Sequence, residues 1–231
     1  MKMRLKVNGL IMALSCILVA FFPALFFRRL NSGLGNAIME IFGISFLLLG
    51  QIFRVSARGY KSENSKEGRA LITGGPYALV RNPMYLGILL IGLGVVLALF
   101  NWWAAVIFLA VFIIQYIPLI FKEEKKLEGL FPKDLPAYKK QTCRIFPSLK
   151  YIFKNDIRGY LPIKLSWVKK EIGSMLALLF IALLIKFWKD FLTAGVSSYL
   201  RGLVGILVVI ILFVALVIYL SKPIKHVPDK S

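Results

Sequence analysis

Long apolar runs, each with at most one charged residue, alternate along the chain with short, strongly basic segments. A bilayer core about 30 Å thick is crossed by about 20 apolar residues in a helix. Runs of roughly this length or longer occupy Val7–Phe27, Leu34–Phe53, Asn82–Phe121, Ile172–Trp188 and Gly202–Ser221. The run Asn82–Phe121 has 40 residues, and it must fold back on itself because one helix of that length would measure about 60 Å. The pattern predicts an all-α, polytopic integral membrane protein with about six transmembrane helices.

The helical hairpin within Asn82–Phe121 is expected to turn near Asn101, where two tryptophans can lie at the membrane interface. Because no internal repeat divides the chain, residues 1–231 are expected to form a single membrane domain, with residues 172–221 as an additional C-terminal helix pair. Lys186 in the fifth helix is expected to snorkel toward the membrane surface. A five-span alternative, in which a weak fifth helix lies in the interface, stays open.

Composition and charge narrow the class of protein. The 231 residues are 58% hydrophobic with a mean hydropathy of +0.75, and 30 Lys and Arg face 11 Asp and Glu, a net charge of +19. These values exclude an ordinary soluble globule and a disordered chain. In a membrane protein such an excess gathers on the cytoplasmic side, so we expect a lipid bilayer as the partner and no nucleic acid. Six spans with both termini in the cytoplasm would place 25 basic residues inside and 5 outside.

Cysteine and histidine contribute little candidate chemistry. Cys16 lies in an apolar run, Cys143 lies in a basic segment, and the single histidine, His226, is among the last residues. Neither a disulfide framework nor a metal site is therefore expected, and catalysis by a histidine is not expected either.

Two polar segments, Arg54–Arg81 and Lys122–Glu171, bracket the hairpin, so their inner ends should meet in space. The first segment closes with a Gly-Gly-Pro turn, after which Asn82 and Pro83 read as an N-cap and a first helical residue. A helix start offers N–H groups and a positive dipole end, and Arg81 adds a forked donor. This arrangement suits a carboxylate or phosphate, although a well-capped transmembrane helix explains it equally well.

The second polar segment opens with the adjacent acids Glu123 and Glu124, which continue the fourth helix out of the membrane. Glu128 follows one turn after Glu124. A solvated helix face is the plain explanation of such a run. The position of these acids opposite the Arg81 turn favours a site in which a cationic ligand lies between them.

The ordered motifs resemble those of the isoprenylcysteine carboxyl methyltransferase and phospholipid methyltransferase superfamily over about residues 40–150. Each motif is weak alone, but their order around a charge-free hairpin is specific. The matching residues are Gly75-Pro76-Tyr77, Arg81-Asn82-Pro83-Met84-Tyr85, Gly87, Glu123-Glu124 with Leu127 and Phe131, Tyr138-Lys139-Lys140, and Pro147.

This resemblance implies a membrane enzyme that binds S-adenosylmethionine between the cytosolic segments and the hairpin and takes a lipophilic methyl acceptor from the bilayer. The candidate catalytic residues are Arg81, Glu123 and Glu124, and either acid could accept a proton from an amine acceptor. The cofactor contacts that the resemblance implies are Arg69, Ala70, Leu71, Ile72, Tyr77, Asn82, Pro83, Met84, Tyr85, Glu123 and Glu124.

Two other functions fit the same architecture. One is a membrane reductase of the sterol-reductase type that uses NADPH, although the chain has no glycine-rich dinucleotide fingerprint, and Gly92 and Gly94 are expected to serve helix packing. The other is a non-enzymatic protein that binds anionic lipid through Lys139–Lys170, which we expect at the membrane surface. The aromatic residues interleaved with basic ones in that segment are Phe146, Tyr151, Phe153, Tyr160 and Trp167.

Overall fold

The computed structural model describes residues 21–27, 34–65, 70–147, 157–193 and 196–222. Within these ranges every regular element is a helix, which confirms the all-α prediction, and the one β-bridge joins Phe27 to Phe100. Most of the predicted first span, Val7–Phe27, lies outside the described residues. The helices are α1 (Pro23–Phe26), α2 (Leu34–Asn64), α3 (Pro76–Leu79), α4 (Pro83–Leu99), α5 (Trp102–Leu130), α6 (Leu135–Gln141), α7 (Ile157–Tyr160), α8 (Leu165–Thr193) and α9 (Val196–Ser221).

Helices α4 and α5 form the predicted hairpin, and the break falls at Phe100 and Asn101. The Asn101 side chain donates hydrogen bonds to the carbonyl oxygens of Leu25 (2.9 Å) and Phe27 (3.3 Å). Its backbone N–H donates to the carbonyl of Phe26 at 2.9 Å. The segment before α2 therefore fastens the turn of the hairpin.

Glycines allow α2 and α4 to pack in direct backbone contact as antiparallel neighbours. A Cβ atom added to Gly43, Gly50 or Gly94 would lie only 2.4 to 2.7 Å from backbone atoms of the facing helix. Such small residues let the backbones of membrane helices approach closely. Gly92 serves packing as well, because a Cβ there would lie 2.1 Å from the Phe108 ring. The expectation that the glycines of α4 serve packing is confirmed.

The C-terminal helices α8 and α9 pack against α2, and a buried ion pair joins the two parts. Lys186 Nζ lies 2.6 Å from Glu40 Oε1, and its side chain is only 5% exposed. The prediction that Lys186 snorkels to the membrane surface is therefore wrong. A lysine among apolar side chains is far less costly when it meets a carboxylate on the neighbouring helix than when it stands alone.

Two helical stretches within the described residues are long and apolar enough to cross a membrane, Ile38–Asn64 and Trp102–Leu130. Pro83–Leu99 and Ile210–Ser221 are shorter apolar helices. The membrane character of the chain thus rests on these helices, and the count of six spans stays a prediction.

The segment Lys139–Lys170, which runs from within α6 into the start of α8, is buried in part. Trp167 is 4% exposed, packs against Gly59, and donates a 2.7 Å hydrogen bond from Nε1 to Glu63. Its indole therefore belongs to the core, and the place of the segment at the membrane surface stays a prediction. Phe146 is 73% exposed, as a surface residue would be. Tyr151 and Phe153 lie outside the described residues.

Candidate functional site

A cavity of about 320 Å³ opens at the polar end of the hairpin, between the end of α2, the loop before α3, the end of α5 and the start of α6. This volume lies within the range of small-molecule pockets. The lining residues are Lys61, Ser65, Ala70, Leu71, Ile72, Tyr77, Arg81, Glu123, Lys126, Leu127, Leu130, Phe131 and Tyr138. The two polar segments that bracket the hairpin do meet here.

The cavity divides the predicted site residues into two groups. Those that line it are Ala70, Leu71, Ile72, Tyr77, Arg81 and Glu123. Those that are not among the lining residues are Asn82, Pro83, Met84, Tyr85 and Glu124. Arg69 lies outside the described residues.

The predicted Gly-Gly-Pro turn places Tyr77 in the cavity wall. Gly75 has a φ of 56°, a left-handed conformation that glycine adopts without strain. A Cβ at this position would also lie 2.8 Å from the ring of Tyr60. Pro76 then begins the short helix α3, and Tyr77 follows it.

Two phenols join the elements around the cavity: Tyr138 is buried and Tyr77 is half-buried. Tyr138 in α6 donates a 2.6 Å hydrogen bond to the carbonyl of Tyr77, and the Tyr77 hydroxyl donates a long bond, 3.5 Å, to the carbonyl of Ala57. Burial, assisted by the negative charge of Glu123, raises the pKa of Tyr77 to about 12. Burial also raises the pKa of Tyr138, against the opposing effect of Arg81. Both phenols therefore keep their protons at neutral pH, and neither can serve as a base.

Glu124 lies between two arginines and is only 6% exposed. Arg144 donates to both of its oxygens, from Nε to Oε1 at 3.2 Å and from Nη2 to Oε2 at 3.0 Å. Arg81 Nη1 lies 3.3 Å from Oε1, an ion pair by distance but without hydrogen-bond geometry. The carboxylate thus has its cationic partners within the protein, and direct contact of Glu124 with a ligand stays a prediction.

Glu123 faces the cavity from the adjacent position on α5. Its Oε1 accepts a 2.7 Å hydrogen bond from the Tyr85 hydroxyl. The Tyr85 ring meets Tyr116 edge to face at 5.7 Å, and Tyr116 stacks on Phe112 at 4.5 Å. Tyr85 therefore orients Glu123 instead of lining the cavity.

Asn82 is the residue before α4, as predicted, but its side chain caps nothing. Its Nδ2 instead donates a 3.1 Å hydrogen bond to the carbonyl of Arg144. The backbone N–H of Arg81 donates to the carbonyl of Cys143 at 2.9 Å. The predicted side-chain cap is therefore wrong, because the amide holds the segment of residues 142–147, hereafter the strap, against the start of α4.

Three cations at the site were not predicted: Arg144 and the two lysines of the cavity rim, Lys61 and Lys126. Neither lysine has an ion-pair partner among the described residues. All three lie in basic segments. No pattern there distinguishes a functional cation from the general excess of basic residues that cytoplasmic segments carry. Proximity to the motif proline Pro147 is the only signal that could have singled out Arg144.

A comparison with protein families supports the resemblance seen in the motifs. The family model described as phospholipid methyltransferase matches residues 24–134, which include α2, the turn and the whole hairpin. This match confirms the resemblance over that part of the chain. Neither the curated proteins nor the solved structures that were compared with the chain gave a match.

Proposed function

Because the match over residues 24–134 relates the chain to the phospholipid methyltransferase family, we propose that it is an S-adenosylmethionine-dependent methyltransferase. It would act on a lipid-like or lipid-anchored acceptor, a carboxylate or an amine, at the membrane surface. The observation that carries this proposal is the cavity, which brings Ala70–Ile72, Tyr77, Arg81 and Glu123 together from motifs far apart in the chain.

The donors in the cavity fit the cofactor. Arg81 lines the cavity, and its Nε and Nη1 have no hydrogen-bond partner among the described residues, so its guanidinium suits the cofactor carboxylate. Glu123 suits the amino group or a ribose hydroxyl. Apolar side chains that would enclose the adenine are Leu71, Ile72, Leu127 and Phe131.

When bound, the cofactor supplies an electrophilic methyl group on a sulfonium. The protein then has to align the acceptor with that group and exclude water. A carboxylate acceptor needs no base. For an amine acceptor Glu123 is the better candidate, because both oxygens of Glu124 already accept hydrogen bonds from Arg144.

The acceptor would enter from the bilayer. On α5, below the cavity, the large apolar side chains Val106, Ile113 and Ile114 are each more than half exposed. Such a surface suits lipid chains, and a head group at its polar end would lie beside the cavity.

Methyl transfer tests the proposal directly. Purified full-length protein in nanodiscs is incubated with methyl-labelled S-adenosylmethionine and a total lipid and peptide extract. We expect label in a lipophilic product, and a strong loss of label with Glu123→Gln. Binding of NADPH together with an absence of methyl transfer would contradict the proposal in favour of a reductase. Binding of anionic vesicles alone would favour a lipid-binding protein.

A further inference from the structure

The strap, residues 142–147, lies beyond the region that matches the family, yet it contacts the site in three ways. The carbonyl of Cys143 accepts from the backbone of Arg81, and the carbonyl of Arg144 accepts from Asn82. The Arg144 side chain reaches Glu124. The site therefore extends past the matched region, and Arg144 hydrogen-bonds directly to its buried acid, Glu124.

Arg144 satisfies the hydrogen-bonding capacity of Glu124 more completely than Arg81 does. Its planar fork meets both carboxylate oxygens, at 3.2 and 3.0 Å, and its guanidinium also lies over the Phe121 ring, 4.3 Å from the centroid. Bidentate pairs of this kind are among the stronger hydrogen-bonded interactions in proteins. The nearest approach of Arg81 to the same carboxylate, 3.3 Å, makes no hydrogen bond.

One buried carboxylate thus lies between two guanidinium groups, and only one of them holds it by hydrogen bonds. The other, Arg81, lines the cavity with Nε and Nη1 unpaired among the described residues. Buried donors of this kind are costly unless a partner arrives. An anionic ligand in the cavity would supply that partner.

We infer that Arg144 is a positioning residue, which holds Glu124 so that the guanidinium of Arg81 stays available for a carboxylate bound in the cavity. The inference rests on the proposed function, because the carboxylate is that of S-adenosylmethionine. Without Arg144, Glu124 has Arg81 as its one remaining cationic partner among the described residues and draws the Arg81 guanidinium away from the ligand. Removing Glu124 as well ends that competition.

The experiment compares two ligands by calorimetry on the purified full-length protein in detergent. S-adenosylhomocysteine carries the carboxylate, and 5′-methylthioadenosine lacks the whole amino-acid part. Arg144→Gln should weaken binding of S-adenosylhomocysteine about tenfold or more, as expected for a charge-assisted hydrogen bond. Binding of methylthioadenosine should change by less than about twofold. The double variant Arg144→Gln/Glu124→Gln should bind S-adenosylhomocysteine better than Arg144→Gln alone.

Lys140→Gln removes a nearby exposed cation that makes no ion pair among the described residues, and it should leave both affinities unchanged. Arg144→Lys keeps the charge but not the fork, so it should show a smaller loss in the same direction. If Arg144→Gln does not fold, the lysine variant and its combination with Glu124→Gln serve the same comparison.

Three results separate the outcomes. Equal losses for both ligands, or a double variant that binds no better than Arg144→Gln, would show that Arg144 only supports the fold and would overturn the inference. Wild-type protein that binds neither ligand would overturn the proposed function, and the inference with it. A loss confined to S-adenosylhomocysteine and recovered in the double variant would support both.

Discussion

Asn82 acts through a long-range hydrogen bond, and this sets what its substitutions should do. Asp is a good N-cap residue, yet its carboxylate cannot donate to the carbonyl of Arg144 and would place a negative charge against that oxygen. We expect Asn82→Asp to lower the free energy of unfolding by about 1–3 kcal/mol and to reduce methyl transfer. Asn82→His keeps an N–H donor and should retain part of the stability and part of the methyl-transfer activity. The measurements are thermal unfolding and methyl-transfer rates. Wild-type values of both for Asn82→Asp would show that Asn82 only caps the helix.

Tyr77 should make the protein sensitive to alkaline pH. Its pKa is about 12 in the folded protein, against about 10 in an unfolded chain. Below pH 10 both states keep the proton, and its contribution to stability is fully present. Between pH 10 and 12 the unfolded chain ionises first, so stability falls as pH rises, by about 1–3 kcal/mol. Melting temperatures across this range should drop less for Tyr77→Phe than for the wild type; parallel curves would count against a buried neutral phenol.

At this scale, sequence motifs could identify candidate residues but could not assign their partners. Glu123 and Glu124 are identical in type, and successive helical residues point about 100° apart. One therefore faces the cavity, and the other faces Arg144. No local pattern decides which is which, because the strap that pairs with Glu124 arrives from 20 residues away.

At the scale of elements, the glycine contact between α2 and α4 makes a sharp prediction. A Cβ on Gly94 would lie 2.4 Å from the backbone nitrogen of Leu47, where no flexible side chain can give way. Gly94→Ala should therefore destabilise the protein by about 1–3 kcal/mol through overpacking. Gly129→Ala is the matched control, since nothing lies within 4 Å of a Cβ there.

The control should be neutral or slightly stabilising, because alanine favours a helix more than glycine does. Thermal unfolding of both variants in the same detergent compares them. Equal melting temperatures would contradict direct backbone contact between the two helices.

The apolar pattern predicted where the hairpin begins and where it turns, because residues that face lipid must be apolar and the sequence shows this directly. It underestimated the length of α2, which continues past Phe53 to Asn64, whereas the acids after Phe121 were expected to extend α5, which ends at Leu130. Polar helix ends carry no membrane signal. The pairing of Lys186 with Glu40 could not be predicted from the sequence either. A single charge in an apolar run has the same local pattern whether its side chain reaches the membrane surface or pairs with a charge on another helix.

For the whole molecule, we predict six spans with both termini in the cytoplasm, a topology that rests on charge. Basic residues are retained on the cytoplasmic side of membrane helices, and this topology places 25 of the 30 in the inside segments. Reporter fusions at Ser32 and Lys154, both outside the described residues, should read outside and inside respectively. A third fusion after Ser231 should read inside if α8 and α9 both cross, and outside if α8 lies in the interface. Ser32 and Lys154 on the same side would contradict the topology, because three predicted spans separate them.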